Sequence, residues 1–294
     1  MATAPMKMTT RLRQLMAAPG LIRAVNVYDP LTARIAESSG FQAIALGGFQ
    51  LGAHLCTTEP LLTMTEVMNC SRYITASVNI PLKVDCGTGF GDPTHVTRTV
   101  REAEAAGIAC IHIEDQVFPK RAHYHKGIEH IVTVEEMVDK IKAAVNARTD
   151  PDFVIVGRTD AMKTDDVHEG IRRGNLYAEA GCDMVEVFPN TLEAARLVAK
   201  EVQAPTLYVN SPGNRLSRPL IPWTELEEMG YKMALDSTTV AIAAAHAVQE
   251  TLQQYLSQQG PPLSQDMAIE AREWIETIIG LPEYYRIEEE TTER

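Results

Sequence analysis

A chain of 294 residues is long enough for one large domain or two ordinary ones. Hydrophobic residues make up 45% and charged residues 22%, which suits a globular protein with a sizeable core. The net charge of −12 argues against nucleic-acid or anionic-membrane binding, since both need a basic surface, but leaves room for an anionic ligand in a locally basic cleft.

Five scattered cysteines (Cys56, Cys70, Cys86, Cys110 and Cys182) are odd in number and lack metal-site spacing. Cys110 and Cys182 lie in or beside apolar runs and read as buried free thiols, which suits a reducing, cytoplasmic compartment. Met1 to Gln14 lacks the continuous apolar run of a secretory signal, and no stretch approaches the roughly 18 apolar residues of a membrane helix.

In chain order, Leu21–Val27 is a strand ending at Tyr28-Asp29-Pro30, and Leu31–Ser39 a helix stopped by Gly40. Ala43–Leu46 is a strand running into Gly47-Gly48, Leu62–Val78 contains an amphipathic helix, and Pro81–Val84 is a strand ending at Asp85. Helix Thr94–Ala106 precedes strand Ala109–Ile113, which delivers Glu114-Asp115 and then a loop rich in cations and histidines. Helix Val134–Arg148 starts at a capping box formed by Thr133 and Glu136. The remaining units are strand Phe153–Gly157 with helix Asp166–Ala180, strand Met184–Phe188 with helix Thr191–Glu201, strand Thr206–Val209 with helix Trp223–Met229, and strand Lys232–Leu235 with helix Thr238–Gln258.

Eight strand-then-helix units require parallel strands with right-handed crossovers. A doubly wound open sheet fits the alternation, but the count of eight and the polar residues at the strand ends favour a closed (β/α)8 barrel, whose active sites lie at those ends. No Rossmann glycine fingerprint follows the first strand. Residues 1–260 are expected to form the barrel. Residues 261–294, with a further helix at Ser264–Gly280 and an acidic tail at Leu281–Arg294, pack on it or exchange with a second copy.

The strand ends collect Asp29, Gly47-Gly48, Asp85, Glu114-Asp115, Arg158, Asn210 and Asp236. Carboxylates on adjacent strands, without Cys/His spacing, favour a hard cation, Mg²⁺ or Mn²⁺. Gly47-Gly48 can present unobstructed N–H groups to a carboxylate or enolate oxygen, and Arg158 can clamp a carboxylate through two hydrogen bonds.

The segments Val25–Gly48, Asp85–Pro93, Ile113–Arg121 and Asp150–Ala161 resemble the isocitrate lyase/phosphoenolpyruvate mutase superfamily, over residues 10 to 260. The resemblance is nearest to the methylisocitrate lyase and dimethylmalate lyase-like branch. It implies a Mg²⁺-dependent barrel enzyme that makes or breaks a C–C or C–P bond beside an α-oxo acid, through an oxo-acid enolate on the metal. It also implies oligomers, dimers or tetramers, built by exchanging a helix, a role open to Ser264–Gly280. By position, it makes Asp85 the direct metal ligand, with Glu114 and Glu59 reaching the metal through water. Gly47, Gly48 and Arg158 then bind the oxo-acid carboxylate, Asn210 lines the pocket, and Lys120 and Arg121 belong to a gating loop.

The departures bear on the reaction. Methylisocitrate lyases carry a proton-donating cysteine where this chain has Ala122, so His123, Tyr124 or His125 must supply the proton in a lyase. Gly87 replaces a second aspartate, Gly47 a serine, Ala45 an aromatic residue, Asn190 a glutamate, and Ile242 falls near an arginine that holds a second carboxylate. A tricarboxylic substrate is therefore poorly served. The expected activity is a lyase cleaving a malate-like 2-hydroxy acid, acting on a small 2-hydroxy or 2-oxo acid. The alternatives are oxaloacetate decarboxylation, phosphonopyruvate hydrolysis, phosphoenolpyruvate phosphonomutase chemistry, and a non-catalytic barrel that binds an oxo acid.

Overall fold

The structure, a computed structural model, describes residues 6–128, 130–164, 166–214 and 218–293; residues 1–5 of the N-terminal stretch and Arg294 of the tail lie outside these. Eight parallel strands close into a barrel in sequence order: β1 (Ile22–Asn26), β2 (Ala43–Leu46), β3 (Leu82–Asp85), β4 (Cys110–Glu114), β5 (Val154–Thr159), β6 (Met184–Val187), β7 (Thr206–Asn210) and β8 (Met233–Asp236), with β8 pairing back onto β1. The helices expected between them are α2 (Pro30–Ser38), α4 (Met64–Ser77), α5 (Pro93–Ala105), α6 (Val134–Ala147), α8 (Val167–Glu179), α9 (Leu192–Glu201), α10 (Trp223–Met229) and α11 (Thr239–Gln258).

Strand side chains alternate between two cores, since successive residues point to opposite faces. Ile22, Ala24, Ala43, Ala45, Cys110, Val154, Val156, Met184, Leu207, Val209, Met233 and Leu235 fill the barrel interior. Val25, Ile44, Val84, Ile111, Ile113, Ile155, Val185 and Tyr208 face the helices. This alternation decides which strand-end residues reach the site. Asn26, Gly47, Asp85, Glu114, Arg158 and Glu186 continue the inward series, whereas Asp115, Asn210 and Asp236 continue the outward one.

Several elements had no counterpart in the sequence reading. Helix α1 (Met8–Ala17) places buried Leu12 in the interior core, with Met8, Leu15 and Met16 beside it, and so plugs the barrel's N-terminal end. Short helices α3 (Gly48–His54) and α7 (Ala161–Thr164) follow β2 and β5, and 3-10 turns form at Glu59–Leu61 and Ala122–Lys126. Helix α12 (Gln265–Ile279) occupies the predicted extra-helix position, and Arg34 of α2 donates to its Ile278 carbonyl at 2.9 Å. The acidic tail is itself helical as α13 (Leu281–Thr291). Gly280 supplies the left-handed turn between α12 and α13, a proline opens α13, and Arg286 pairs with Glu290 at 2.9 Å one turn on. No helix among the described residues is long and apolar enough to cross a membrane.

Candidate active site

A cavity of about 520 Å³ opens at the C-terminal end of the barrel. Gly47, Gly48, Glu59, Asp85, His125 and Arg158 line it, joined by Asn26, Gln50, Lys83, His112, Tyr124, Glu186, Phe188 and Arg218.

Asp85 sits at the end of β3 and is heavily engaged. It accepts from the Gly48 N–H at 3.3 Å and the Gly87 N–H at 2.8 Å, and His112 Nε2 lies 2.7 Å from its Oδ1. Burial opposes its ionisation, but His112, Lys120 and Arg158 outweigh that and hold the carboxyl well below the ordinary carboxylate range. Gly87 adopts a left-handed backbone, φ +51°, as it turns its N–H back toward Asp85. A Cβ on Gly48 would stand 2.2 Å from Glu59 Cγ, so the close approach of Glu59 to the β2 end needs glycine there.

Glu114 lies below the cavity wall, fully buried, with Arg158 Nη1 3.0 Å from one oxygen and Lys120 Nζ 2.8 Å from the other. Neither oxygen has an aligned hydrogen-bond partner, and burial pushes this carboxyl's pKa up. Lys120 also contacts Glu59, and against burial the charges of Glu114 and Glu59 raise its pKa, so it stays an ammonium. Tyr124 donates to Glu59, and Lys120 Nζ stands 4.2 Å from the Tyr124 ring centre. His125 packs against Tyr124, ring centres 4.0 Å apart, with its Nε2 2.9 Å from Thr58 Oγ1. The basic loop is thereby drawn over the Glu59 side of the cavity.

The other predicted residues fall elsewhere. Arg121 and His123 are exposed and off the cavity wall. Asn210 points outward, donating to the Ile221 carbonyl and accepting from its N–H, both at 2.9 Å. Asp115 also points away, accepting from Thr159 Oγ1, the Asp160 N–H, Tyr177 Oη and Arg173 Nη1. Asp29 and Asp236 cap the starts of α2 and α11. Arg158 is partnered by Asp160 at 3.1 Å as well as by Glu114, and its guanidinium carbon lies 4.5 Å from the Phe188 ring centre.

The polar floor of the barrel lies outside the residues that stood out as strand endings. Lys83, His112 and Glu186 are buried, with Glu186 Oε2 2.8 Å from Lys83 Nζ and 3.2 Å from His112 Nδ1. Lys83 Nζ lies 2.5 Å from His112 Nδ1, and against burial the charges of Asp85 and Glu186 raise the His112 pKa. Each of the three stands alone in an apolar triplet, Leu82-Lys83-Val84, Ile111-His112-Ile113 and Val185-Glu186-Val187. A single polar residue in an apolar strand, in phase with a strand-end carboxylate, was the available signal. Burial raises the Glu186 pKa, but His112 and Lys83 outweigh it and hold the carboxyl below its ordinary 4.5. A depressed carboxylate stabilises the fold above its unfolded pKa, and that contribution is lost as pH falls through the folded value. Glu186→Gln is therefore expected to cost about 3–5 kcal/mol near neutral pH by urea unfolding, as for breaking a buried pair. The cost should shrink below pH 4.5; a penalty that grows on acidification would contradict the pairing.

The described residues contain no close group of three His, Cys, Asp or Glu side chains that could form a protein-only metal cage. The donors present are carboxylate oxygens on Asp85, Glu59 and Glu114, and both Glu114 oxygens lack hydrogen bonds. That set fits Mg²⁺, which keeps several waters and takes one or two carboxylates plus substrate oxygens.

The Gly47-Gly48 pair, a set of carboxylates and a covering basic loop meet at the C-terminal end of a (β/α)8 barrel, where enzymes of this fold keep their active sites. The family model described as phosphoenolpyruvate phosphomutase matches residues 12–256, and the chain belongs to that family, within the isocitrate lyase/phosphoenolpyruvate mutase superfamily. It is 37% identical over 246 residues to 2,3-dimethylmalate lyase of Eubacterium barkeri, covering 83% of this chain and 84% of that one. It is also 37% identical over 249 residues to 2-methylisocitrate lyase of Aeropyrum pernix, covering 83% and 79%. Among solved structures, phosphonopyruvate hydrolase in complex with oxalate and Mg²⁺ superposes with a TM-score of 0.84 at 27% identity, over 98% of this chain and 100% of that one.

Proposed function

We propose that the chain is a Mg²⁺-dependent carbon–carbon lyase that cleaves a malate-like 2-hydroxy acid into a 2-oxo acid and a carboxylic acid. The observation that carries this reading is the inward-facing cluster of Asp85, Glu114 and Arg158 beside Gly47-Gly48, with Lys120, Tyr124 and His125 drawn over it. Asp85 would hold the cation directly, and Glu59 and Glu114 through water. When bound, Mg²⁺ polarises the substrate's oxygens and carries charge that builds on them. The chain's own groups do the rest. The N–H groups of Gly47 and Gly48, with Arg158, orient the carboxylate next to the hydroxyl. The hydroxyl proton leaves to a carboxylate of the cavity wall. The C2–C3 bond breaks, C2 becomes the oxo carbon, and the electron pair passes to C3 and its attached carboxylate.

His125 then delivers a proton to C3, taking over from the cysteine that Ala122 replaces. Of the loop histidines it is the one that lines the cavity. His125→Asn is expected to lower kcat by about 10²- to 10⁴-fold, while His123→Asn leaves it nearly unchanged. The reverse order in steady-state rates would move the acid elsewhere.

The substrate test is oxo-acid release from a panel of 2-hydroxy diacids with Mg²⁺. Release from at least one is expected. No release from any, alongside turnover of oxaloacetate or phosphonopyruvate, would sink the lyase reading. That outcome would favour a decarboxylase or hydrolase passing through an oxo-acid enolate, a second reading supported by the missing cysteine and the phosphonopyruvate hydrolase likeness.

The proposal includes a homo-oligomer. Helix α11 exposes Val248, Leu252, Tyr255 and Leu256, and α12 exposes Met267, Trp274 and Ile275, large apolar side chains that a partner surface would cover. Sedimentation is expected to show a dimer or tetramer, and a monomer would count against it.

A further inference from the structure

Among the cations of the cavity end, half-buried Arg218 stands apart. Arg158 is paired with Glu114 and Asp160, Lys120 with Glu59 and Glu114, and Lys83 with Glu186. Arg218 forms no ion pair among the described residues, and its buried Nε and Nη1 have no hydrogen-bond partner. Only Nη2 is engaged, donating to Ser211 Oγ at 3.0 Å, and that hydroxyl lies 2.7 Å from Ser237 Oγ. The guanidinium carbon is 4.4 Å from the centre of the Phe188 ring, which also carries Arg158.

The loop after β7 holds this geometry in place. Tyr208 Oη donates to the Pro219 carbonyl at 2.6 Å, and Asn210 makes its two bonds to the Ile221 backbone. Asn214 accepts from the Arg218 N–H at 3.2 Å and donates to the Ser211 carbonyl at 2.8 Å. Asn210 is in this way a positioning residue for Arg218 rather than a pocket residue. Burial and the charge of Arg158 both press the Arg218 pKa down, so the site holds a cation where an anion is wanting. A guanidinium fixed by stacking, with the N–H groups of Nε and Nη1 unused, has donors to spare for a carboxylate.

We infer that Arg218 receives a second carboxylate of the substrate through its unpaired guanidinium N–H groups, so that this chain takes dicarboxylates in preference to monocarboxylates. The inference rests on the oxo-acid site proposed above. Under the retro-aldol reading the carboxylate received is the one attached to C3, onto which the released electron pair spreads. Arg218 would thus supply from the loop after β7 the contact that Ile242, at the start of α11, cannot.

The test is binding to the Mg²⁺-loaded full chain, by calorimetry and by shift of the unfolding midpoint. The probes are malate and 2-hydroxybutyrate, which has a methyl in place of the second carboxylate. The wild type is expected to bind malate about 10- to 100-fold more tightly, and Arg218→Met to erase that preference while leaving 2-hydroxybutyrate binding intact. Arg218→Lys should restore part of it. Because Arg218 has no ionic partner to strand, the ligand-free Arg218→Met variant should unfold no earlier than wild type, which a structural role would not allow. Equal binding of the two acids by wild type, or a preference surviving in Arg218→Met, would overturn the assignment. Selective, Arg218-dependent binding without oxo-acid release from any hydroxy diacid would uphold it and retire the lyase reading instead.

Discussion

Asp85→Asn is expected to lower kcat/KM by about 10³-fold or more while leaving the fold largely intact. The amide oxygen can still accept the shorter of the two backbone bonds, that from the Gly87 N–H, so the β3 end keeps most of its shape. What it loses is the negative charge that His112, Lys120 and Arg158 hold in place far below the usual carboxylate range. A direct ligand for a hard cation must be ionised whenever the enzyme works, and Asp85 is held in that form whereas burial pushes Glu114 the other way. Activity at saturating Mg²⁺ and Mn²⁺ affinity by electron spin resonance should fall together. An Asn variant within tenfold of wild type would remove Asp85 from the centre of the account.

Asp115→Ala is expected to act on stability, costing about 3–5 kcal/mol because a buried, multiply bonded charge pair is broken. Asp115 ties the end of β4 to β5 and α8 through Thr159, the Asp160 N–H, Tyr177 and Arg173. Its removal takes from buried Arg173 one of its two carboxylate partners, leaving Glu169 at 2.8 Å, and leaves the buried Tyr177 hydroxyl without its acceptor. For a chain of this size the midpoint of thermal unfolding should drop by roughly 10 °C. The matching change one residue earlier, Glu114→Gln, should reverse the emphasis, with a large loss of rate. If Asp115→Ala left the midpoint unmoved, the division of labour between these neighbours would be wrong.

That division shows where the sequence was legible and where it was not. Strand and helix order could be read because each strand is a short apolar run bounded by turn residues, and Gly47-Gly48, Asp85, Glu114 and Arg158 stood out as polar endings. Position at a strand end does not settle which face a side chain takes. Asp115, Asn210 and Asp236 end strands as visibly as Asp85 does, yet all three are out of phase with the interior residues of their own strands. Counting phase back from Cys110, Leu207 and Met233 would have separated them. Lys83, His112 and Glu186 were overlooked for the opposite reason, since a lone polar residue inside an apolar run looks like noise until its neighbours around the barrel are known. Register supplies them, pairing Asp85 with His112 and Arg158 with Glu186. Arg218 follows no strand pattern and carries meaning only once its missing partner is seen. Helix α1 escaped notice because its one deeply buried side chain, Leu12, packs against the barrel end rather than along a helical face.

The central claim is that the inward-facing strand-end residues form a site for Mg²⁺ and a 2-oxo acid. A crystal structure of the enzyme grown with Mg²⁺ and oxalate, which mimics an oxo-acid enolate, tests it most directly. The account predicts one ion with Asp85 in its coordination shell and Glu59 or Glu114 one water away, and oxalate against the N–H groups of Gly47-Gly48 and the Arg158 guanidinium. Oxalate bound away from the glycine pair, or an ion that touches none of these carboxylates directly or through water, would contradict it.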